Sequence, residues 1–272
     1  MTYVSISGIT KERDMYQLEA FAEAKGISRD LFFGIQATEK TLLHRRSNSR
    51  GTGWHPVGDA IYDSFYDREM SAYTFGRYKR VGRRILHFSY ERDNNDAEAY
   101  FTTRTILDRW PPGVTIDGWQ FNNLSWHLKD FTATVDFVRN RLHECPLIGQ
   151  LNTHALEGMS QTMFERLVDS GLSHVLLDSS GGLGHGFDYE SYRRYVDMIK
   201  SSTNQLEIAI AGGIASDTEA MENFMKLQEE FGPLSCDAEG RLRDYPAPED
   251  PEYLAKSSLS LKKCREYLIC LC

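Results

Sequence analysis

Short apolar, β-branched runs alternate with longer amphipathic segments along this chain, and that alternation narrows the possible folds more than any other feature. The runs are YVSISGI (Tyr3–Ile9), LFFGIQA (Leu31–Ala37), RILHFSY (Arg84–Tyr90), VTIDGWQFN (Val114–Asn122), PLIGQLN (Pro146–Asn152), HVLL (His174–Leu177), LEIAIAGGI (Leu206–Ile214) and PLSCDAEG (Pro233–Gly240). Between and after them, helical periodicity covers about Glu12–Ala24, Val57–Met70, Asp96–Trp110, Leu128–Leu142, Ser160–Ser170, Asp188–Lys200, Asp217–Phe231 and Pro251–Ile269. Strand followed by helix, repeated, demands parallel strands with crossover helices. Eight such units in 272 residues predict an α/β chain folded as one (β/α)8 TIM barrel spanning residues 1–272. The rival, an open doubly wound sheet, would carry a glycine fingerprint after an early strand, and GITKERD is not one.

In such a barrel the loops after strands gather at one end and the loops after helices at the other. The stretch HVLLDSSGGLGHGFDY (His174–Tyr189) is therefore the natural centre of a site. It is a strand with Asp178 at its carboxyl end. A loop carrying Gly181, Gly182, Gly184, His185 and Gly186 follows, and then a helix with Asp188 as N-cap. An extended polar loop after strand 2, HRRSNSRGTGWHPVGD (44–59), brings Arg45, Arg46 and Arg50 to the same end as anion ligands or a lid. The later basic run, Gly76–Arg84, precedes a strand and reads as a solvated edge at the opposite end.

Polar residues crowd the predicted carboxyl ends: Ser7, Gln36, His87, Ser89, Glu91, Asp117, Gln120, Asn122, Gln150, Asn152, His154, Asp178 and Asp237. A barrel filled only for stability would carry apolar side chains there. His87 and His154 are candidate bases, because imidazole titrates near neutrality. Gln120 and Asn122 are candidate substrate contacts. Trp54, Trp119 and Trp126 serve either packing or stacking on a ring.

Four segments resemble phosphoribosylanthranilate isomerase, the tryptophan-pathway barrel. YVSISGIT is similar to its first strand, K-I-C-G-[IL]-T. VLLDSSGGLGHGFDY is similar to its sixth strand and loop, L-L-D-x-x-x-G-G-[TS]-G-x-x-F-D-W. AIAGGI resembles L-A-G-G-[IL], and CDAEGRL echoes D-[VL]-S-S-G-[VI]-E. WQFNN is a faint echo of V-Q-L-H-G in strand 4. The likeness covers the two ends of the chain and is not followed from Ala37 to Trp110 or around strand 5. It implies a cofactor-free, Amadori-type ring-opening isomerisation of an aminated phosphosugar. Asp178 takes the place of the family's general acid. Gly212, Gly213 and Gly240 take the place of its phosphate loops. Ser7 stands where the family has its basic cysteine, and Ser5 where it has a lysine. A hydroxyl supplies no anion at neutral pH without an adjacent base, so the ancestral mechanism does not carry over unchanged. Glu239 also puts a carboxylate beside the expected phosphate, to be offset by Arg241, Arg243 or Arg50.

The expectation is thus a diverged isomerase-like barrel using Asp178, Ser7, His87 and His154 on a small anionic or polyhydroxylated metabolite, phosphorylated if the phosphate loops are retained. A non-catalytic metabolite- or partner-binding barrel is the second reading. A metal-assisted lyase or hydrolase is the third, though no HxH or HExxH spacing points to a metal site, and none is assigned. No cofactor is expected. A net charge of −8 disfavours nucleic acid and anionic membranes as partners. No apolar run approaches the roughly 18 residues of a membrane span, no signal peptide opens the chain, and five cysteines without metal spacing fit the reducing cytoplasm. The oligomeric state is left open.

Overall fold

The computed structural model describes residues 2–9, 12–42, 82–90, 96–110, 116–124, 131–158, 160–179, 186–216, 218–245 and 257–271. Eight parallel strands close into a barrel in chain order. They are β1 (Tyr3–Ser7), β2 (Asp30–Thr38), β3 (Gly82–Ser89), β4 (Gly118–Asn122), β5 (Leu147–Asn152), β6 (His174–Asp178), β7 (Glu207–Ile210) and β8 (Ser235–Ala238). The helices are α1 (Glu12–Ala24), α2 (Glu39–Leu42), α3 (Asp96–Asp108), α4 (Phe131–Leu142), α5 (Thr153–Glu157), α6 (Gln161–Asp169), α7 (Tyr189–Ser202), α8 (Glu219–Phe231) and α9 (Leu261–Cys270). The (β/α)8 expectation therefore holds. The helix expected at 57–70 and the polar loop at 44–59 lie outside the described residues.

Two apolar clusters divide the work. The larger fills the layer between strands and helices, with Val4, Ile6, Phe33, Leu86, Phe88, Trp119, Phe121, Leu177 and Ile210 meeting Leu18, Val135, Phe164, Val196 and Phe224. The smaller plugs the barrel itself, with Tyr3, Phe32, Ile85, Ile148, Leu176, Ala209 and Ala211. The two sets alternate along β1, β2, β3, β5, β6 and β7, as a pleated strand between two packed faces requires. Tyr3 stacks on Phe32 at 4.2 Å between ring centres, which closes the lower barrel.

Local signals set several boundaries. The Asp188 carboxylate accepts from the Ser191 N–H at 2.8 Å and caps α7, as the sequence predicts. The Thr218 hydroxyl accepts from the Met221 N–H and caps α8, so that helix starts after position 217. The final helix needs a larger correction, because it begins at Leu261, not Pro251. Residues 258–259 instead form β10 (Ser258–Leu259), antiparallel to β9 (Arg243–Asp244) just past the barrel. Asp117 also moves: it precedes β4 and binds the Arg84 N–H at 2.9 Å, at the amino ends of the strands. Arg84 is buried there, not part of a solvated edge, while the neighbouring Arg83 faces Asp30. Among the described residues no helix is long and apolar enough to cross a membrane, and Cys145, Cys236, Cys264 and Cys270 are free thiols.

Candidate functional site

The inward parity of the plug residues carries straight on into polar side chains. Tyr3 is followed on the same face by Ser5 and Ser7, Phe32 by Gly34 and Gln36, and Ile85 by His87 and Ser89. Ile148 is followed by Gln150 and Asn152, and Leu176 by Asp178. Strand register then joins these positions around the ring. Gln36 pairs with His87, His87 with Gln120, Asn152 with Asp178, and Asp237 with Ser5. Asp237 is thereby an inner residue of β8. Its neighbour Cys236 faces outward, 3.1 Å from the Tyr267 hydroxyl of α9.

At the centre lies a three-residue chain. The Ser7 hydroxyl donates to Asp237 Oδ1 at 2.5 Å and lies 3.4 Å from His87 Nδ1. Ser7, His87 and Asp237 are 1%, 3% and 8% exposed, so none of them exchanges hydrogen bonds freely with bulk water. Burial pushes the Asp237 carboxyl up to about 6, the charge of Asp178 adds to the rise, and the Ser7 hydroxyl opposes it. Burial alone pushes His87 down to about 3, so its ring is neutral. Asp178 is buried as well, and Gln150 Nε2 donates to its Oδ2 at 2.6 Å.

Gly34 makes the contact between Ser7 and His87 possible. A Cβ at this inner position would lie 2.6 Å from His87 Cε1, 2.7 Å from His87 Nε2 and closer still to Ser7 Oγ. Gly34→Ala is expected to push the imidazole off Ser7 and to destabilise the fold by roughly 1–3 kcal/mol, the usual cost of overpacking. Urea unfolding reads the stability, and the 15N shifts of His87 read the displacement. A variant matching the parent in both would show that the ring has room to spare.

The remaining sequence candidates separate. Gln120 is buried beside His87 and donates to Asn122 Oδ1 at 2.9 Å. Gly212 and Gly213, with φ of 116° and 66°, form the corner after β7 that a side chain would strain. Gly240 opens a 3-10 turn, and its carbonyl accepts from the Tyr245 hydroxyl. His154 is exposed on α5 and takes no part in the buried chain. Gly181, Gly182, Gly184, His185, Glu91 and Arg50 lie outside the described residues. Among the described residues no three His, Cys, Asp or Glu side chains are grouped to hold a metal ion.

Arg243 sits behind the ring. It reaches Glu239 at 3.8 Å and donates to the Gly8 carbonyl at 2.9 Å and to Ser257. It thus offsets Glu239 as one of the sequence alternatives anticipates. The sequence reading undervalued Asp237 and missed Gly34 as a spacer. The signal for Asp237 was its parity with Ser235, which could be read only once the register of β8 was known.

No family model matches this chain, and no curated protein matches it. Solved structures do. The carboxyl transferase domain of Rhizobium etli pyruvate carboxylase with 3-bromopyruvate superposes with a TM-score of 0.54 at 10% identity, over 99% of this chain and 46% of that one. The same domain with pyruvate and biocytin gives 0.53 at 10% identity over the same shares. The YdjI aldolase from Escherichia coli K12 gives 0.48 at 11% identity, over 89% of this chain and 76% of that one. This chain spans less than half the length of the carboxyl transferase chains it matches. Likeness at this identity establishes the barrel fold and nothing about chemistry.

Proposed function

We propose that this barrel is an acid–base enzyme of isomerase type that moves a proton between positions of a small polyhydroxylated metabolite. The observation that carries the reading is the buried Ser7–Asp237 hydrogen bond beside a neutral His87, at the strand ends that also bear Asp178. A carboxyl raised to about 6 suits proton transfer near neutral pH, and an unprotonated imidazole beside it has a nitrogen free to accept a hydrogen bond. Asp178, matching the sixth-strand acid of phosphoribosylanthranilate isomerase, supplies a second proton-transfer group two strands round the ring from Asp237.

The glutamines favour hydroxyl groups as what the site reads. Gln36 Nε2 donates to Glu239 Oε2 at 2.5 Å and Gln150 Nε2 to Asp178 Oδ2 at 2.6 Å. A carboxylate only accepts, so each amide must turn its nitrogen to the acid and keep its oxygen for another partner. Two amide oxygens among carboxylates suit hydroxyl or amino donors better than they suit a phosphate. An anionic tail would have to bind the Gly212–Gly213 corner, away from Glu239.

Solvent exchange tests this even while the product is unidentified. The protein is incubated in D2O with a panel of aldoses, ketoses, amino sugars and their phosphates, and deuterium entering beside the carbonyl is followed by NMR. The expected result is exchange into one class of hydroxylated compound, slowed about 100- to 10,000-fold by Asp178→Asn, the range typical of a general acid–base group. No exchange across the panel would leave a binding barrel as the better reading. Undiminished exchange in Asp178→Asn would remove that residue from the mechanism.

A further inference from the structure

We propose that Ser7 is a proton relay, and that through it the ionisation of Asp237 decides which ring nitrogen of His87 carries hydrogen. The proposal rests on the acid–base reading for its use in catalysis, but not for its test.

Ser7 has one hydrogen to donate and lone pairs to accept with. At 2.5 Å from Asp237 Oδ1 that hydrogen goes to the ionised carboxylate. The contact at 3.4 Å with His87 Nδ1 then joins two groups of which the serine oxygen can only accept. Nδ1 must therefore be the protonated nitrogen and Nε2 the bare one. Nε2 is the nitrogen that packs directly over Gly34, 2.7 Å from where a Cβ would sit. Protonating Asp237 reverses the order. The carboxylic acid donates to Ser7, Ser7 donates to Nδ1, and Nε2 carries the hydrogen. The alternative, with Ser7 accepting from both neighbours, would strand a hydroxyl hydrogen in a buried place, which is costly.

The relay answers a difficulty that the buried histidine raises. A ring held neutral down to about pH 3 is a poor base if it must keep the proton it takes. With the relay it keeps none. A substrate proton arrives at Nε2, the Nδ1 proton passes to Ser7 Oγ, and the Ser7 proton passes to Asp237. His87 ends neutral, Asp237 ends protonated, and the substrate carries the negative charge. The reverse sequence returns a proton to the substrate. Serine in place of a thiol then serves as a two-way conductor, not as a base.

The groups facing this chain are few among the described residues. Asp178 comes from β6, Tyr3 and the Ser5 hydroxyl from β1, Cys236 from β8, Tyr267 from α9, and Glu239 with Arg243 from beyond β8. Gln36 and Gln120 are the cross-strand neighbours of His87. Neither glutamine titrates, so a change in His87 between pH 5 and 8 is not theirs.

The test is 15N NMR of the unliganded, histidine-labelled protein, with His87 assigned by comparison with His87→Gln. Protonated and bare ring nitrogens resonate far apart. The wild type is expected to show Nδ1–H at pH 8 and Nε2–H at pH 5, with the crossover near pH 6. Ser7→Ala is expected to show no linked exchange of tautomers, and Ser7→Thr, which keeps the hydroxyl, to retain it. Circular dichroism confirms that each variant is folded. One tautomer throughout in the wild type, an imidazolium at pH 5, or an unaltered crossover in Ser7→Ala would each overturn the relay. Because no substrate is involved, failure of the relay and failure of the isomerase reading remain separate results.

Discussion

Asp237→Asn is expected to stabilise the folded protein by about 3 kcal/mol at pH 7.5 and to leave its stability unchanged below pH 4. The carboxyl titrates at 3.8 in an ordinary setting and at about 6 in the barrel. At about 1.4 kcal/mol per pH unit, that interval is worth about 3 kcal/mol. Its direction follows from proton counting. Below 3.8 both the unfolded and the folded protein hold the proton, and the group contributes no difference. As pH rises from 3.8 to 6 the unfolded chain releases it first, so stability falls until the folded protein also releases it. Asparagine keeps an acceptor for the Ser7 hydroxyl and removes the buried charge. Urea unfolding of both proteins at pH 4, 5, 6 and 7.5 reads the difference directly. A gap that is the same at every pH would show that Asp237 ionises as freely inside the barrel as outside it.

The same residue bears on why this site exists. A buried carboxylate that weakens the fold at neutral pH is no aid to packing, and stability lost in this way is common where side chains are held for chemistry. Asp237 contrasts with Trp119 and Phe33, whose complete burial serves the fold.

The repeating strands and helices made the barrel legible. The limits of α1 were readable from Met15, Leu18 and Ala22 on one face, and the start of α7 from Asp188 as a cap. Reading failed where signals are short or tertiary. β9 and β10 have two residues each, too few for a period of two to declare itself. Asp117 lies beside apolar residues that read as strand, yet it pairs with the Arg84 backbone at the far end. The site itself was half visible. Ser7, His87 and Asp178 could be placed by strand position alone. The bond from Ser7 to Asp237 spans 230 positions and the contact to His87 spans 80, so neither has a local signature. Gly34 carried no signal as a spacer, because the residues it makes room for are on β1 and β3.

His87→Gln is expected to remove the largest acid-sensitive contribution of this site, and to do so in a way that only its pairing with Asp237 reveals. Burial lowers His87 from 6.5 to about 3. Between those values the unfolded chain holds a proton that the folded protein refuses, so stability falls as pH falls, by up to about 5 kcal/mol at pH 3. From pH 3.8 to 6 Asp237 acts in the opposite sense, since there the folded protein holds the proton and the unfolded chain does not. One proton gained against one proton lost leaves the pair nearly silent across that window in the wild type. Each single variant should unmask the other group. Asp237→Asn should lose stability steadily on acidification from 6.5, and His87→Gln should gain it from 6 down to about 4. The double variant should return to the flat wild-type course, because neither titration remains. Unfolding free energies of the four proteins, compared as differences at each pH, cancel the contributions of all other groups. If His87→Gln follows the wild type between pH 4 and 6, the imidazole takes up protons in the folded protein. The neutral ring on which the relay depends is then lost with it.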